Sequence, residues 1–151
     1  MNIYNQKNHI LFYLIYFFCL NNSFSSDFVS VGSKPIIMFD GPTNKSKKKF
    51  IAPPGMPLEI IFKRKKWARV RDYTNDLSWT QIDGLSKKRT IMIKNYEAKI
   101  NVAPKNNSKI VFSALKGVIL DLIEPVNSDW LKVKHISGEK GFVKVSNIWG
   151  F

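Results

Sequence analysis

The chain is poor in reactive side chains. Among its 151 residues one is cysteine and two are histidine. Cys19 and His9 both fall in the first twenty-six residues, a stretch unlike the rest, so the remainder has no thiol and a single imidazole, His135. That inventory excludes a disulfide framework, a Cys–His dyad and a His-rich zinc site. His135 could serve a serine–histidine–acid relay only if a serine and an acid were positioned around it. Acids are scarce as well, 11 against 24 cations. They are scattered, and a glycosidase pair needs two that converge in a cleft. Glu59 with Asp76 is the one combination left open. A glycine-rich phosphate loop is missing too, since "APPGMP" (residues 52–57) reads as a proline-bounded turn. No run after the first twenty-six residues keeps a helical period over ten positions. The expectation is a protein without catalysis, metal or cofactor.

The unusual amino-terminal stretch has an order of its own. A weakly basic head, "MNIYNQKNHI", leads into the eleven-residue apolar block "ILFYLIYFFCL" and then into small polar residues. This describes a secretory signal peptide over residues 1–25, cut after Ser25 with Ser23 at the −3 position. Eleven residues reach about 16 Å as a helix, roughly half a bilayer core. A retained anchor is the competing reading. A lipid-bearing Cys19 is disfavoured by the bulky "YFF" before it. The chain is therefore expected to be exported, to a periplasm or cell envelope. Loss of Lys7 with the leader takes the formal charge from +13 to +12, which favours polyanionic partners. Lysine outnumbers arginine twenty to four, so the same charge also fits a merely solvated surface.

The body repeats itself. At an offset of 62, Pro42, Phe50, Gly55, Leu58, Glu59 and Ile61 meet Pro104, Phe112, Gly117, Leu120, Asp121 and Ile123. One inserted residue then makes the offset 63, and Trp67, Arg69, Val70, Arg71, Asp76, Trp79 and Ile82 meet Trp130, Lys132, Val133, Lys134, Glu139, Phe142 and Val145. His135 falls opposite Asp72, an interchangeable turn position. Each copy is a series of short β-branched or aromatic runs, "PLEIIF", "WARVR" and "SWTQI" against "VILDLI", "WLKVKH" and "GFVKV", parted by breakers such as "PPG" and "SGE". Such strands in about 55 residues fit a small bent barrel better than a flat sheet with exposed edges. The expected fold is all-β: residues 34–86 form the first barrel, 87–94 a joining strand, and 95–151 the second barrel. Units this small bury little surface alone, so the two are expected to pack together.

Gly117, Trp130, Lys132, Val133, Lys134, Gly141, Phe142, Val143 and Ile148 form a pattern that resembles tandem bacterial SH3-like (SH3b) proteins of the cell envelope. The likeness covers roughly residues 34–150. The first copy departs from it, with Ser78 in the glycine place and Thr80 in the valine place, and the second has Asn101 where arginine is common. What the resemblance implies is a non-catalytic binding or targeting module tied to peptidoglycan or to peptides of envelope proteins.

Alternation assigns the faces. Ala68 and Val70 share one side of their strand, as do Leu131 and Val133, and Val143 and Val145. A barrel this small cannot hold unpaired cations, so the aliphatic side is the interior. Trp67, Arg69 and Arg71, with Trp130, Lys132 and Lys134, then lie outside, where a ring could stack on a sugar or proline. The candidate ligand-binding residues are Trp67, Arg71, Tyr73, Trp79, Trp130, Lys134 and Phe142, with the first copy favoured for a groove. The alternative is that these rings fold over the barrel ends, as Trp149 could do. "KSKKKF" (residues 45–50) reads as a basic, solvated loop tip. The second functional reading is electrostatic binding of polyanions, an anionic lipid or surface polymer. Nucleic acid is the less favoured polyanion because of the export signal.

Overall fold

In the computed structural model, residues 27–151 are described; the expected signal peptide, with its Ser25 cut, lies outside them. The chain folds into two antiparallel units. The first holds β1 (Asp27–Val31), β2 (Ile36–Phe39), β3 (Lys48–Ala52), β4 (Pro57–Arg64), β5 (Trp67–Arg71), β6 (Leu77–Gln81) and β7 (Leu85–Ser86), with one 3₁₀ turn, Ile82–Gly84. The second holds β8 (Thr90–Ile93), β9 (Glu97–Asn101), β10 (Ile110–Leu115), β11 (Ile119–Pro125), β12 (Trp130–Lys134), β13 (Lys140–Lys144) and β14 (Ile148–Trp149), with the turn Val145–Asn147. The strand order is β3-β2-β6-β5-β4-β1-β7 in one sheet and β10-β9-β13-β12-β11-β8-β14 in the other, the same path twice. Even the turn bonds recur: Gly55 N donates to Val31 O and Gly117 N to Ile93 O, each at 2.9 Å.

The aliphatic side chains point inward as alternation predicts. Ala68 and Val70 belong to one core, with Met38 and Leu58; Leu131, Val133 and Val143 belong to the other, with Ile100 and Leu120. Arg69 on the opposite side of β5 is exposed, and Lys132 opposite Leu131 is half-buried. Polar and apolar residues thus segregate by strand parity in both copies.

Two strands fall beside the repeat-based boundaries. β1 precedes residue 34 and pairs with β4 and β7. β8 lies within residues 87–94 and pairs with β11 and β14, so this joining segment contributes a strand to the second sheet. Every residue of β8 is buried, and its alternation serves both units. Ile91 and Ile93 enter the second core, while Met92 enters the first together with Ile119 of β11. Thr90 Oγ1 donates to Gly55 O at 2.7 Å, and Ser30 Oγ donates to Lys88 O at 2.8 Å. Phe28 and Trp149 meet edge to face with centroids 5.1 Å apart, under the Arg89 guanidinium at 5.7 Å.

A strand that completes two cores couples them. The two units are expected to unfold in one cooperative transition by calorimetry, with equal calorimetric and van't Hoff enthalpies. Two resolved transitions would contradict this interlock.

Candidate functional site

The outer face of the first unit carries a row of rings. Phe62, Arg69, Trp79 and Phe39 lie side by side across β4, β5, β6 and β2, because the register places Phe62 opposite Arg69, Arg69 opposite Trp79, and Trp79 opposite Phe39. Phe62 meets Trp79 edge to face at 6.2 Å, and Trp67 meets Phe39 the same way at 5.5 Å. Phe62 is 54% exposed, an unusual position for a phenylalanine. Trp67 and Trp79 are half-buried, each supported from one side by a phenylalanine. Phe62, Trp67 and Trp79 lie outside the barrel core, whereas Phe39 is buried, 6% exposed, and supports Trp67 from that position. Pinned edge-to-face pairs of this kind present a preformed apolar strip with little rotamer freedom left to lose on binding.

Two basic loops flank the strip. The β2–β3 loop brings Lys45 and Lys47, and its Asn44 accepts from Gln81 Nε2 at 3.2 Å. Gln81 is the cross-strand neighbour of Trp67. The β4–β5 turn brings Arg64, Lys65 and Lys66, all exposed, with Lys65 in the left-handed region at φ 53. Its Lys66 carbonyl accepts from Ile82 N at 2.9 Å, which ties this turn to the same end of the sheet.

The second unit repeats the geometry and changes the chemistry. Its row is Glu124, Lys132, Phe142 and Asn101 by the same registers. Lys132 Nζ is paired with Glu124 at 3.1 Å where the first unit has Arg69 beside Phe62. Trp130 lies on the outer side, as parity demands, yet it is only 7% exposed. Lys144 sits 5.7 Å from its ring centroid. An open groove of about 620 Å³ beside it is lined by polar residues, among them Asn101, Asn106 and Lys99. Phe39 occupies the Asn101 place in the first unit, where the matching groove shrinks to about 290 Å³.

The other residues singled out in the sequence are dispersed. Arg71 is engaged by Glu59 at 3.2 Å. Tyr73 packs against the first core rather than joining the row. Lys134 lies at the junction of the two units. Trp67 and Trp79 come together on one face, as Trp130 and Phe142 do in the second unit, and in the first unit Phe39, Phe62 and Arg69 complete what they begin.

A model of the bacterial SH3 domain matches residues 32–87 and, a second time, residues 94–150. The chain belongs to the bacterial SH3 domain family. No curated protein matches it. Among solved structures it is similar to NlpC1 and NlpC2 of Trichomonas vaginalis, each at 12% identity and a TM-score of 0.38. The match covers 82% of this chain and 45% of NlpC1, and 83% of this chain and 48% of NlpC2, so the chain spans about half the length of either. Bacterial SH3 domains are commonly binding modules, often for peptidoglycan, and are typically non-catalytic.

In this tandem bacterial SH3 protein, several acids and the imidazole hold turns and ion pairs. Glu59 faces Arg71, and Asp76 Oδ2 takes a hydrogen bond from Lys49 Nζ. Asp72, which is buried, accepts at Oδ1 from Thr74 N, Thr74 Oγ1 and Asp76 N. His135, its counterpart, lies 2.7 Å from Ser137 Oγ, whose hydroxyl donates to Glu139 Oε2 at 3.0 Å. The hydroxyl stands between ring and acid, the reverse of a relay in which the imidazole is the middle member.

The bond from Lys49 holds the Asp76 carboxyl below the usual carboxylate range. A lowered folded-state value makes the pair's contribution present above that range and lost as pH falls through the lowered value. Lys49→Met is expected to return Asp76 to ordinary titration in a carbon-detected NMR experiment. An unchanged titration would assign the shift to another cause.

Proposed function

We propose that this protein is an exported, non-catalytic binding module whose first barrel engages peptidoglycan or an envelope peptide through the outer strip of Trp67, Trp79, Phe62 and Arg69. The observation that carries this reading is the exposed Phe62 packed on the half-buried Trp79 beside an arginine, on a sheet face whose counterpart in the second barrel holds the Glu124–Lys132 ion pair. Sugars and prolines offer flat C–H faces that stack on such rings, and Arg69 adds a donor fork for carbonyl or hydroxyl oxygens. The signal-like residues 1–25 support placement outside the cytoplasm.

A second reading, electrostatic capture of an anionic lipid or surface polymer, is favoured by the loop cations Lys45, Lys47, Arg64, Lys65 and Lys66. Salt separates the two. Co-sedimentation with purified peptidoglycan sacculi should persist from about 50 to 200 mM salt if stacking dominates. Polyanion binding through several cations would lose orders of magnitude over the same interval.

A further inference from the structure

A cleft of about 690 Å³ opens between the two barrels, away from the aromatic strip. Its walls come from the β3–β4 turn, from the segment that joins the barrels, and from β11 and the end of β12. Concave sites at domain junctions with an apolar floor and a few polar groups are common places for small ligands. Pro54, Val118 and Ile119 supply the apolar part here, and Ile136, 95% exposed, stands at the rim.

The duplication provides an internal control for the polar part. In the first barrel Glu59 and Arg71 are cross-strand partners and form an ion pair at 3.2 Å. The second barrel places Asp121 opposite Lys134 in the same relation. Asp121 is instead taken by Lys88 from the joining segment, at 2.7 Å. Lys134 is thereby left facing the cleft with no acidic partner among the described residues. The next position changes as well: Asp72 in the first barrel is an anion turned into its own loop, whereas its counterpart is His135. The Nδ1 side of His135 is held by Ser137, 2.7 Å from its Oγ and 3.3 Å from its N, which leaves Nε2 without a partner among the described residues. Two changes that share one cleft have removed an anion and freed a cation.

We propose that this cleft is a second binding site, for a small carboxylate with an aliphatic body. Lys134 Nζ receives the carboxylate beside the His135 ring, and the aliphatic part lies on Ile119 and Pro54. The carboxyl end of a short peptide and a free branched acid both carry this chemistry. The site is separate from the strip and does not depend on the function proposed for it.

Chemical-shift titration of the full chain tests the assignment, with acetyl-Ala-Ala, its carboxamide and isobutyrate as probes. Acetyl-Ala-Ala should saturate shifts at Ile119, Lys134 and His135, and the carboxamide should bind about tenfold more weakly, the worth of one charge-assisted hydrogen bond. Tighter binding of the peptide than of isobutyrate would identify a peptide end as the source, and equal binding a free acid; both support the site. Lys134→Gln should weaken acetyl-Ala-Ala about tenfold. Lys88→Gln should weaken it comparably without removing a ligand contact, because it frees Asp121 to pair with Lys134. Asp121→Asn should strengthen it several-fold, by releasing Lys88 into the cleft. Thermal midpoints confirm that each variant is folded, and Trp67→Ala should leave this titration unchanged. Equal binding of acid and amide, indifference to Lys88→Gln in a folded protein, or no saturable shift with any probe would overturn the proposal.

Discussion

Gly141→Ser should destabilise the protein by about 3 kcal/mol, the upper part of the range for overpacking a filled core. A Cβ at this position would stand 2.4 Å from Ile100 Cγ2 and 2.8 Å from Asn101 O. The first of these contacts can relax, and the second is backbone. The first barrel shows how the same fold tolerates a serine there. Ser78 is the counterpart of Gly141, each lying opposite a core valine, Val70 or Val133. The residue matching Ile100 is Met38, which is unbranched and has no Cγ2 to collide with a neighbouring Cβ. Ile100→Met should therefore recover roughly half of the loss, since the Asn101 carbonyl remains in the way. The exchange has a reciprocal side, because the Ser78 hydroxyl is buried with no partner among the described residues. Ser78→Ala should raise stability by about 1 kcal/mol, on the order of the cost of an unsatisfied buried hydroxyl. Urea denaturation of the four proteins, wild type included, checks the set. A neutral Gly141→Ser, or a loss that Ile100→Met does not touch, would show that packing differs between the copies in some other way.

The second large effect concerns binding. Phe62→Ala with Trp79→Ala should reduce affinity for peptidoglycan sacculi by more than about tenfold, because stacked rings at the centre of a contact commonly carry 2 kcal/mol or more each. Phe142→Ala, at the place of Trp79 in the second barrel, should change affinity by less than about twofold, since rim and non-contact positions contribute little. Neither Phe62 nor Trp79 lies in the barrel core, so the double variant is expected to stay folded. Equal losses from the two barrels would distribute the ligand over both.

Strand parity made the barrel interior readable before any coordinates. Ala68 with Val70, and Leu131 with Val133, sort themselves from Arg69 and Lys132 by a period of two, and both copies obey it. The duplication made the domain plan readable for the same reason, as two chains of matched residues with a single insertion. Three features escaped, each for a physical cause. Phe62 has the parity of Leu58 and Ile60, which face the core, but a bulge between Ile60 and Phe62 turns it outward. Alternation cannot foresee where an extra residue enters a ladder. Trp130 and Trp67 have the same parity and different exposure, because the surroundings of Trp130 come from distant positions, Lys144 and the loop after Asn101. Lys134 looked equivalent to Arg71, and cross-strand pairing would have neutralised both. Lys88 breaks that equivalence from outside the repeat. The signals for Phe39 and Phe62 were present in the alignment of the copies, as places where a ring faces Asn101 or Glu124 in the other barrel. Divergence between duplicated halves marks the surface that one half uses and the other does not.

The four tryptophans allow the central claim to be tested in a single spectrum, because Trp67, Trp79, Trp130 and Trp149 each give one indole N–H resonance. Titration with soluble peptidoglycan fragments should move the signals of Trp67 and Trp79 and leave those of Trp130 and Trp149 in place. Movement of Trp130 or Trp149 with Trp67 and Trp79 unmoved would contradict the account.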